Sequence, residues 1–195
     1  KELTIKLVFL RPLGLRLPLS PNKKDIDIRD IAHALSFMSR ANGHFPQFYS
    51  VCQHSIHCCE EAIARDLTAK TAMCCLLHDG SEAYIADITR PVKKLIPGYL
   101  EIEKTIQNAI YEKFAGSLPD KTEAKDVKDI DDALLYHEFM HFMGERTSDT
   151  VPFLKTRPEF KTIPFSEAED RFIKLYEALY KKIIIEDCCL SVVNA

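Results

Sequence analysis

Apolar residues recur along this chain at the three-and-four spacing of helices, and turn residues cut the pattern into separate segments. Asp27, with Asp30 three residues on, opens a first helix striped by Ile31, Leu35 and Met38, and Asn42-Gly43 stops it. Ser50 and Gln53 form a capping box for a second helix, in which Val51, His54, Cys58 and Ala62 share one face, so His54 points inward. Thr68 starts a third, Ala69 to about Tyr84. Its centre, Met73-Cys74-Cys75-Leu76-Leu77, is apolar all round, which predicts burial on every side, and it runs into His78-Asp79. Pro91 and Pro97-Gly98 mark a turn region before a fourth helix striped by Ile102, Ile106, Ala109 and Ile110, which Gly116 and Pro119 end. A fifth helix, from about Thr122 to Met143, sets Val127, Ile130, Leu134 and Phe142 on a broad apolar face together with Asp131 and Glu138. Acidic groups on an inward face need a reason. After a polar, proline-punctuated stretch from Gly144 to Pro164, Ser166 and Glu169 read as a capping box for a last helix holding Phe172, Leu175 and Leu179. The pattern predicts an all-α bundle of about six helices: an extended N-terminal segment over 1–26, one helical domain over 27–186 and a tail over 187–195.

Composition narrows the function classes. With 195 residues and 46% hydrophobic content, one sizeable core suffices. A net charge of −3 supplies no basic field, so a nucleic-acid polymer is not an expected partner, and a small anionic substrate needs local positive groups or a metal. Of seven cysteines, six fall as adjacent pairs, Cys58-Cys59, Cys74-Cys75 and Cys188-Cys189, with Cys52 alone. Neighbours on a helix point apart, so these read as small buried hydrophobes of a reducing cytoplasm rather than disulfides. The first nineteen residues mix apolar positions with Arg11, Arg16, Pro12 and Pro18 and do not resemble a signal peptide; the missing initiator Met points to a start that is incomplete or processed. No apolar run reaches bilayer length, and no membrane is expected as a partner.

The chemistry concentrates on three helices. An inward His54, the pair His78-Asp79 and an inward Asp131 would converge as two imidazoles and two carboxylates, a donor set suited to Mn, Fe, Co or Zn that leaves positions for water and a phosphate oxygen. Burying such groups without a cation is costly. Each signal alone is weak, since a lone inward His is commonly a hydrogen-bonded core residue. Glu82, three and four residues after Asp79 and His78, stays on the same helix side, where a carboxylate can hold or deprotonate water; Asp87 follows in the run HDGSEAYIADITRPVK.

That run, Leu77 to Lys93, resembles the HD-superfamily 5′-deoxynucleotidases and related small nucleotide phosphohydrolases, which share the H…HD…D pattern and the following E-x4-D. The stretches DIAHALSFMSRANGH and FYSVCQHS are similar to those of a bacterial and phage branch, and the likeness covers Asp27 to about Glu138. It implies one divalent metal ion (Mn, Co, Fe, Zn or Mg) on His54, His78, Asp79 and Asp131, with Asp132 competing because a doubled aspartate permits a one-residue slip. It implies Glu82 as the acid that positions or activates water and Asp87 as a second catalytic carboxylate. Arg40, fourteen residues before His54, matches a phosphate-gripping arginine, a role that suits a bidentate donor, and Lys93 lies near a phosphate-contacting lysine position. Ala41 stands where the best-known members carry a bulky aromatic, which leaves the sugar open. His33 and His44 frame the first helix; His33 is a candidate substrate contact, against the blander reading of a satisfied core or loop histidine. The implied activity is hydrolysis of a nucleotide phosphate ester, first a (deoxy)nucleoside 5′-monophosphate and second a deoxynucleoside triphosphate with release of triphosphate, by a homodimer or larger homo-oligomer.

Two readings from other classes compete. His137-Glu138-Phe139-Met140-His141 is an H-E-x-x-H of the kind that binds zinc in proteases. A third ligand three residues after Gly144 would be Thr147, no histidine follows His141, and Glu159 or Glu169 would have to serve. Periodicity puts Asp131, Leu134 and Glu138 on one face and both histidines off it. The other reading is a metal- or nucleotide-sensing module without turnover, against which the retention of Glu82 and Asp87 weighs.

Overall fold

Asp27 accepts a hydrogen bond from the Arg29 amide at 2.9 Å and so starts α1, Ile28–Phe37, whose Ile31 and Leu35 are fully buried. This helix ends at Phe37, earlier than the Asn42-Gly43 stop that the pattern predicts. Met38 and Ser39 are extended, and they pair with the segment before the next helix: Val51 N–H reaches the Met38 carbonyl at 3.0 Å, Arg40 N–H reaches Tyr49 at 2.8 Å, and Ser39 and Ser50 form an isolated bridge. Only then does a 3-10 turn, Arg40–Gly43, carry the chain round, with Ala41 and Asn42 at left-handed φ values of 53° and 50°. Arg40 therefore does not belong to the last turn of α1. It opens a separate loop.

The capping box of Ser50 and Gln53 starts α2, Val51–Ala64, as the sequence indicates. From Val51 to Cys59 every residue of α2 is buried, because α1 and three later helices, Ala69–Leu77, Lys121–Met143 and Phe165–Val193, all pack against it. Thr68 caps α3, Ala69–Leu77, whose apolar centre is likewise enclosed. The predicted continuation of α3 to Tyr84 does not occur. Gln107, on α6 (Tyr99–Phe114), donates to the Leu77 carbonyl at 2.7 Å and accepts from the Ser81 amide at 3.0 Å, so the last turn of α3 is claimed from outside and residues 78–81 form tight turns instead. A single-turn α4, Glu82–Ile85, and a second, α5, Arg90–Lys93, follow, separated by Ala86 at φ 69°.

The long α7, Lys121–Met143, begins at an Asp120/Glu123 capping box and buries Val127, Ile130, Ala133, Leu134, Tyr136 and Glu138. The 145–164 stretch is tied to α2 by the buried Glu61 carboxylate, which accepts from the backbone of Lys155 and Thr156 and from the Thr156 hydroxyl. The final helix, α8, spans Phe165–Val193. Its first amides bond to the Pro164 carbonyl, so the predicted Ser166/Glu169 box is not used, and Glu169 turns to His33 of α1 instead. The helix also runs past the expected boundary at 187.

The computed structural model describes residues 23–193, with the side chains of Arg90 and of 187–193 left aside. Of the extended segment expected over 1–26, residues 1–22 lie outside that description and Lys23–Asp25 form a short 3-10 helix instead of extended chain; the side chains of Cys188 and Cys189 also lie outside it. Within it, six helices of nine residues or more pack round one hydrophobic cluster and no strand forms, which is the expected all-α architecture. No helix among the described residues is long and apolar enough to cross a membrane. Cys52, Cys58, Cys59, Cys74 and Cys75 are buried with free thiols, and burial pushes each of them up, Cys74 to about 12.

Two consequences can be measured. A Cβ on Gly80 would lie 2.9 Å from the Leu77 carbonyl oxygen and 3.2 Å from Ile110 Cδ1. Gly80→Ala is therefore expected to lower the unfolding free energy in urea by about 1–3 kcal/mol. His57, hydrogen-bonded to the Tyr49 hydroxyl at 2.8 Å, is lowered by burial to about 4. The unfolded chain binds this proton more tightly, so stability is complete above about pH 6.5 and falls as the pH drops towards 4. Urea melts at pH 7 and pH 5 should differ in that direction, and the difference should shrink in His57→Gln.

Candidate metal and phosphate site

The N-terminal half of α2 points His54 at α7. There, His54 Nδ1 lies 2.6 Å from Glu138 Oε1, and both side chains are fully buried. A carboxylate accepts only, so Nδ1 donates and Nε2 presents its lone pair on the other side of the ring. His78, at the end of α3, is fixed the same way: Nδ1 donates to the Cys75 carbonyl at 2.8 Å, and Nε2 turns toward His54. The two Nε2 atoms are 3.2 Å apart. Asp79 Oδ2 lies 3.2 Å from His78 Nε2 and 4.0 Å from His54 Nε2; Asp131 Oδ1 lies 3.2 Å from His54 Nε2 and 3.8 Å from His78 Nε2.

Four acceptor atoms this close repel unless positive charge lies among them. Ligands at about 2.1 Å from a divalent ion are about 3–4 Å from one another, so this set fits one. The group of His54, Cys58 and His78 can also hold a metal ion, with donor atoms within 4.8 Å of one another. The protein's own answer to the crowding is visible in the charges. Burial opposes the charged form of His78, but Asp79 and Asp131 outweigh it and raise the imidazole to about 9. Burial likewise works against Asp79 and Asp131, and their histidine neighbours hold both well below the usual carboxylate range.

Arg40 comes into the same cluster from its loop. Its guanidinium reaches Glu138 Oε2 through Nε at 3.3 Å, Asp79 Oδ2 through Nη1 at 3.3 Å and His54 Nε2 through Nη2 at 3.0 Å, with Asp131 at 3.7 Å. Burial disfavours that charge, but Glu138, Asp79 and Asp131 hold it firmly protonated. Asp131 rather than Asp132 is the inward carboxylate: Asp132 pairs with Lys128 at 2.6 Å on the exposed side of α7.

A cavity of about 580 Å³ opens beside these groups. Its polar lining is Arg40, Asp79, Glu82, Asp87, Lys93 and Asp131, and its apolar lining includes Leu135, Phe139 and Met143, which follow Asp131 along α7, with Ala41, Ile88 and Pro91. Glu82 is buried; burial first, then Asp79 and Asp87, raises its carboxyl to about 9. Oε1 accepts from Lys93 at 3.2 Å, while Oε2 has no hydrogen-bond partner among the described residues. Lys93 is held between Glu82 and Glu103. Burial also raises Asp87.

Not every expected residue arrives here. His33 sits at the α1–α8 contact, 3.0 Å from Glu169 and against the Phe37 ring, and does not line the cavity; His44 does. The site is carried by turns where a continuous helix is expected, so Glu82 faces it from α4 rather than as the next turn of α3. The H-E-x-x-H set does not converge. His137 Nε2 donates to the Pro152 carbonyl at 2.8 Å, His141 is exposed, and Glu138 points the opposite way, into His54. The sequence gives Glu138 a part only in the competing H-E-x-x-H reading, although its place two turns beyond Asp131 on the inward face is the signal that marks it for this site.

Glu138 thus fixes both the ring of His54 and the guanidinium of Arg40. Glu138→Gln keeps the shape and removes the charge. The expected result is a 10–100-fold loss of Co(II) or Zn(II) affinity by calorimetry at unchanged helix content, as for outer-shell partners of metal-ligating histidines elsewhere. An unchanged affinity would mean that Glu138 only packs.

No protein-family model matches the chain. It is 42% identical over 93 residues to the uncharacterized protein YfdR of Escherichia coli strain K12, across 48% of this chain and 49% of that one. It is 38% identical over 108 residues to the uncharacterized protein RCAP_rcc00048 of Rhodobacter capsulatus, across 52% and 55% respectively. The chain spans about half the length of these curated relatives, and neither is named for an activity.

Proposed function

We propose that this protein is a divalent-metal-dependent phosphohydrolase of the HD superfamily, acting on a nucleotide phosphate ester, with a (deoxy)nucleoside 5′-monophosphate as the first candidate substrate. The observation that carries the reading is the convergence of His54, His78, Asp79 and Asp131 beside a cavity lined by Asp79, Asp131 and further polar groups and by the apolar Leu135, Phe139 and Met143. A phosphate belongs at one end and a base, or another flat apolar group, at the other, against Phe139, Leu135 and Met143. The size suits a small molecule.

His54, His78, Asp79 and Asp131 would hold the ion, which supplies Lewis acidity toward a phosphoryl oxygen and acidifies water. The chain's own groups account for the rest. Arg40, whose side chain is 12% exposed and lines the cavity, offers planar paired donors to a phosphate. Lys93 adds a second positive charge and holds Glu82 in position. Glu82, whose carboxyl burial and its acidic neighbours push up and whose Oε2 has no partner among the described residues, is equipped to exchange a proton with water or with a departing oxygen. Asp87 lines the same cavity.

The test is release of phosphate and of polyphosphate from ribo- and deoxynucleoside mono-, di- and triphosphates, with Mn, Co, Mg and Zn each returned to metal-stripped protein. Phosphate release from monophosphates is expected, falling by about 10²–10⁴ in Glu82→Ala, and disappearing together with metal binding in Asp79→Ala at unchanged circular dichroism. Triphosphate release would move the substrate to deoxynucleoside triphosphates. No release from any nucleotide with any metal would overturn the reading.

A further inference from the structure

We propose that Cys58 is a ligand of the candidate metal centre, coordinating as a thiolate beside His54 and His78. The inference rests on the metal centre of the preceding reading. Cys58 lies one helical turn after His54 on α2, so both side chains leave the same face, and its Sγ is 3.5 Å from His54 Nε2. That nitrogen is the one turned toward the cluster, because Nδ1 is committed to Glu138, and His78 Nε2 is turned the same way by the Cys75 carbonyl. The three donor atoms therefore face one point, within 4.8 Å of one another. Cys52, by contrast, spends its thiol on the Ala168 carbonyl.

On binding, the thiol gives its proton to solvent and sulfur takes its place in the donor set. A nitrogen-and-oxygen site admits Mg and Mn readily; adding sulfur turns the preference toward Zn, Co and Fe. Cys58 is 1% exposed, so the sulfur is shielded from bulk oxidants while the ion is bound.

Titration of metal-stripped protein with Co(II), followed by absorption, reads the sulfur directly. The expected spectrum has a near-ultraviolet thiolate-to-Co(II) charge-transfer band in addition to the visible ligand-field bands. In Cys58→Ser the charge-transfer band disappears while ligand-field bands remain, and Co(II) affinity falls about tenfold or more with Mn(II) affinity changed much less. Cys75→Ser, which removes the neighbouring thiol, keeps the band. Ligand-field bands without a charge-transfer band in the wild type, or a band that survives in Cys58→Ser, would overturn the assignment and leave the metal centre standing. Failure of the wild type to bind Co(II) at all would sink the metal centre itself. Should Cys58→Ser not fold, X-ray absorption of the Co(II)-loaded wild type decides: a sulfur neighbour at about 2.3 Å supports the assignment and its absence overturns it.

Discussion

A carboxylate buried as completely as that of Glu138 has to be met by hydrogen-bond donors and positive charge, since an uncompensated ion in a protein interior costs several kcal/mol. Here the donors come from two other parts of the chain. His54 from α2 meets one carboxylate oxygen and Arg40 from the 3-10 turn meets the other, so a single side chain of α7 fixes its register against both. Everything at the site inherits that geometry. With His54 Nδ1 committed, Nε2 must look toward His78, Asp79 and Asp131, and with Nε of Arg40 committed, its remaining donors spread over the same acceptors.

The two segments that bring the remaining groups in share a device. Each is a helix that stops early because its last turn is claimed by a distant partner: α1 by the pairing of Met38 with Val51, and α3 by Gln107 of α6. Each is then followed by non-glycine residues at positive φ, Ala41 and Asn42 after Arg40, and Ala86 before Asp87. Such backbone is unfavourable by roughly 1–3 kcal/mol per residue and persists where surrounding structure over-determines it. The strained residues thus sit directly beside side chains that line the polar end of the cavity, while the regular helix α7 supplies Asp131 and the apolar residues Leu135, Phe139 and Met143 of its lining.

The H-E-x-x-H motif illustrates how one helix can carry two incompatible patterns. Glu138 and its flanking histidines are adjacent in sequence but diverge around α7, and the burial of Glu138 beside His54 decides which face matters. A motif that names residue types and spacing says nothing about which face is turned inward.

What the sequence determined by itself is what depends on neighbours a few residues apart. Ser50 with Gln53, Thr68, and Asp27 start helices because their side chains reach amides two or three residues on, and the enclosed centre of α3 follows from an unbroken apolar run. The inward direction of His54 and Asp131 follows from the same periodicity. Tertiary structure alone decided the early ends of α1 and α3, the removal of His33 to the α8 contact, and the meeting of Arg40 and Glu138 with His54. Each of these rests on a hydrogen bond or charge pair between groups far apart along the chain or on which side of a ring is committed first, and periodicity carries no record of either.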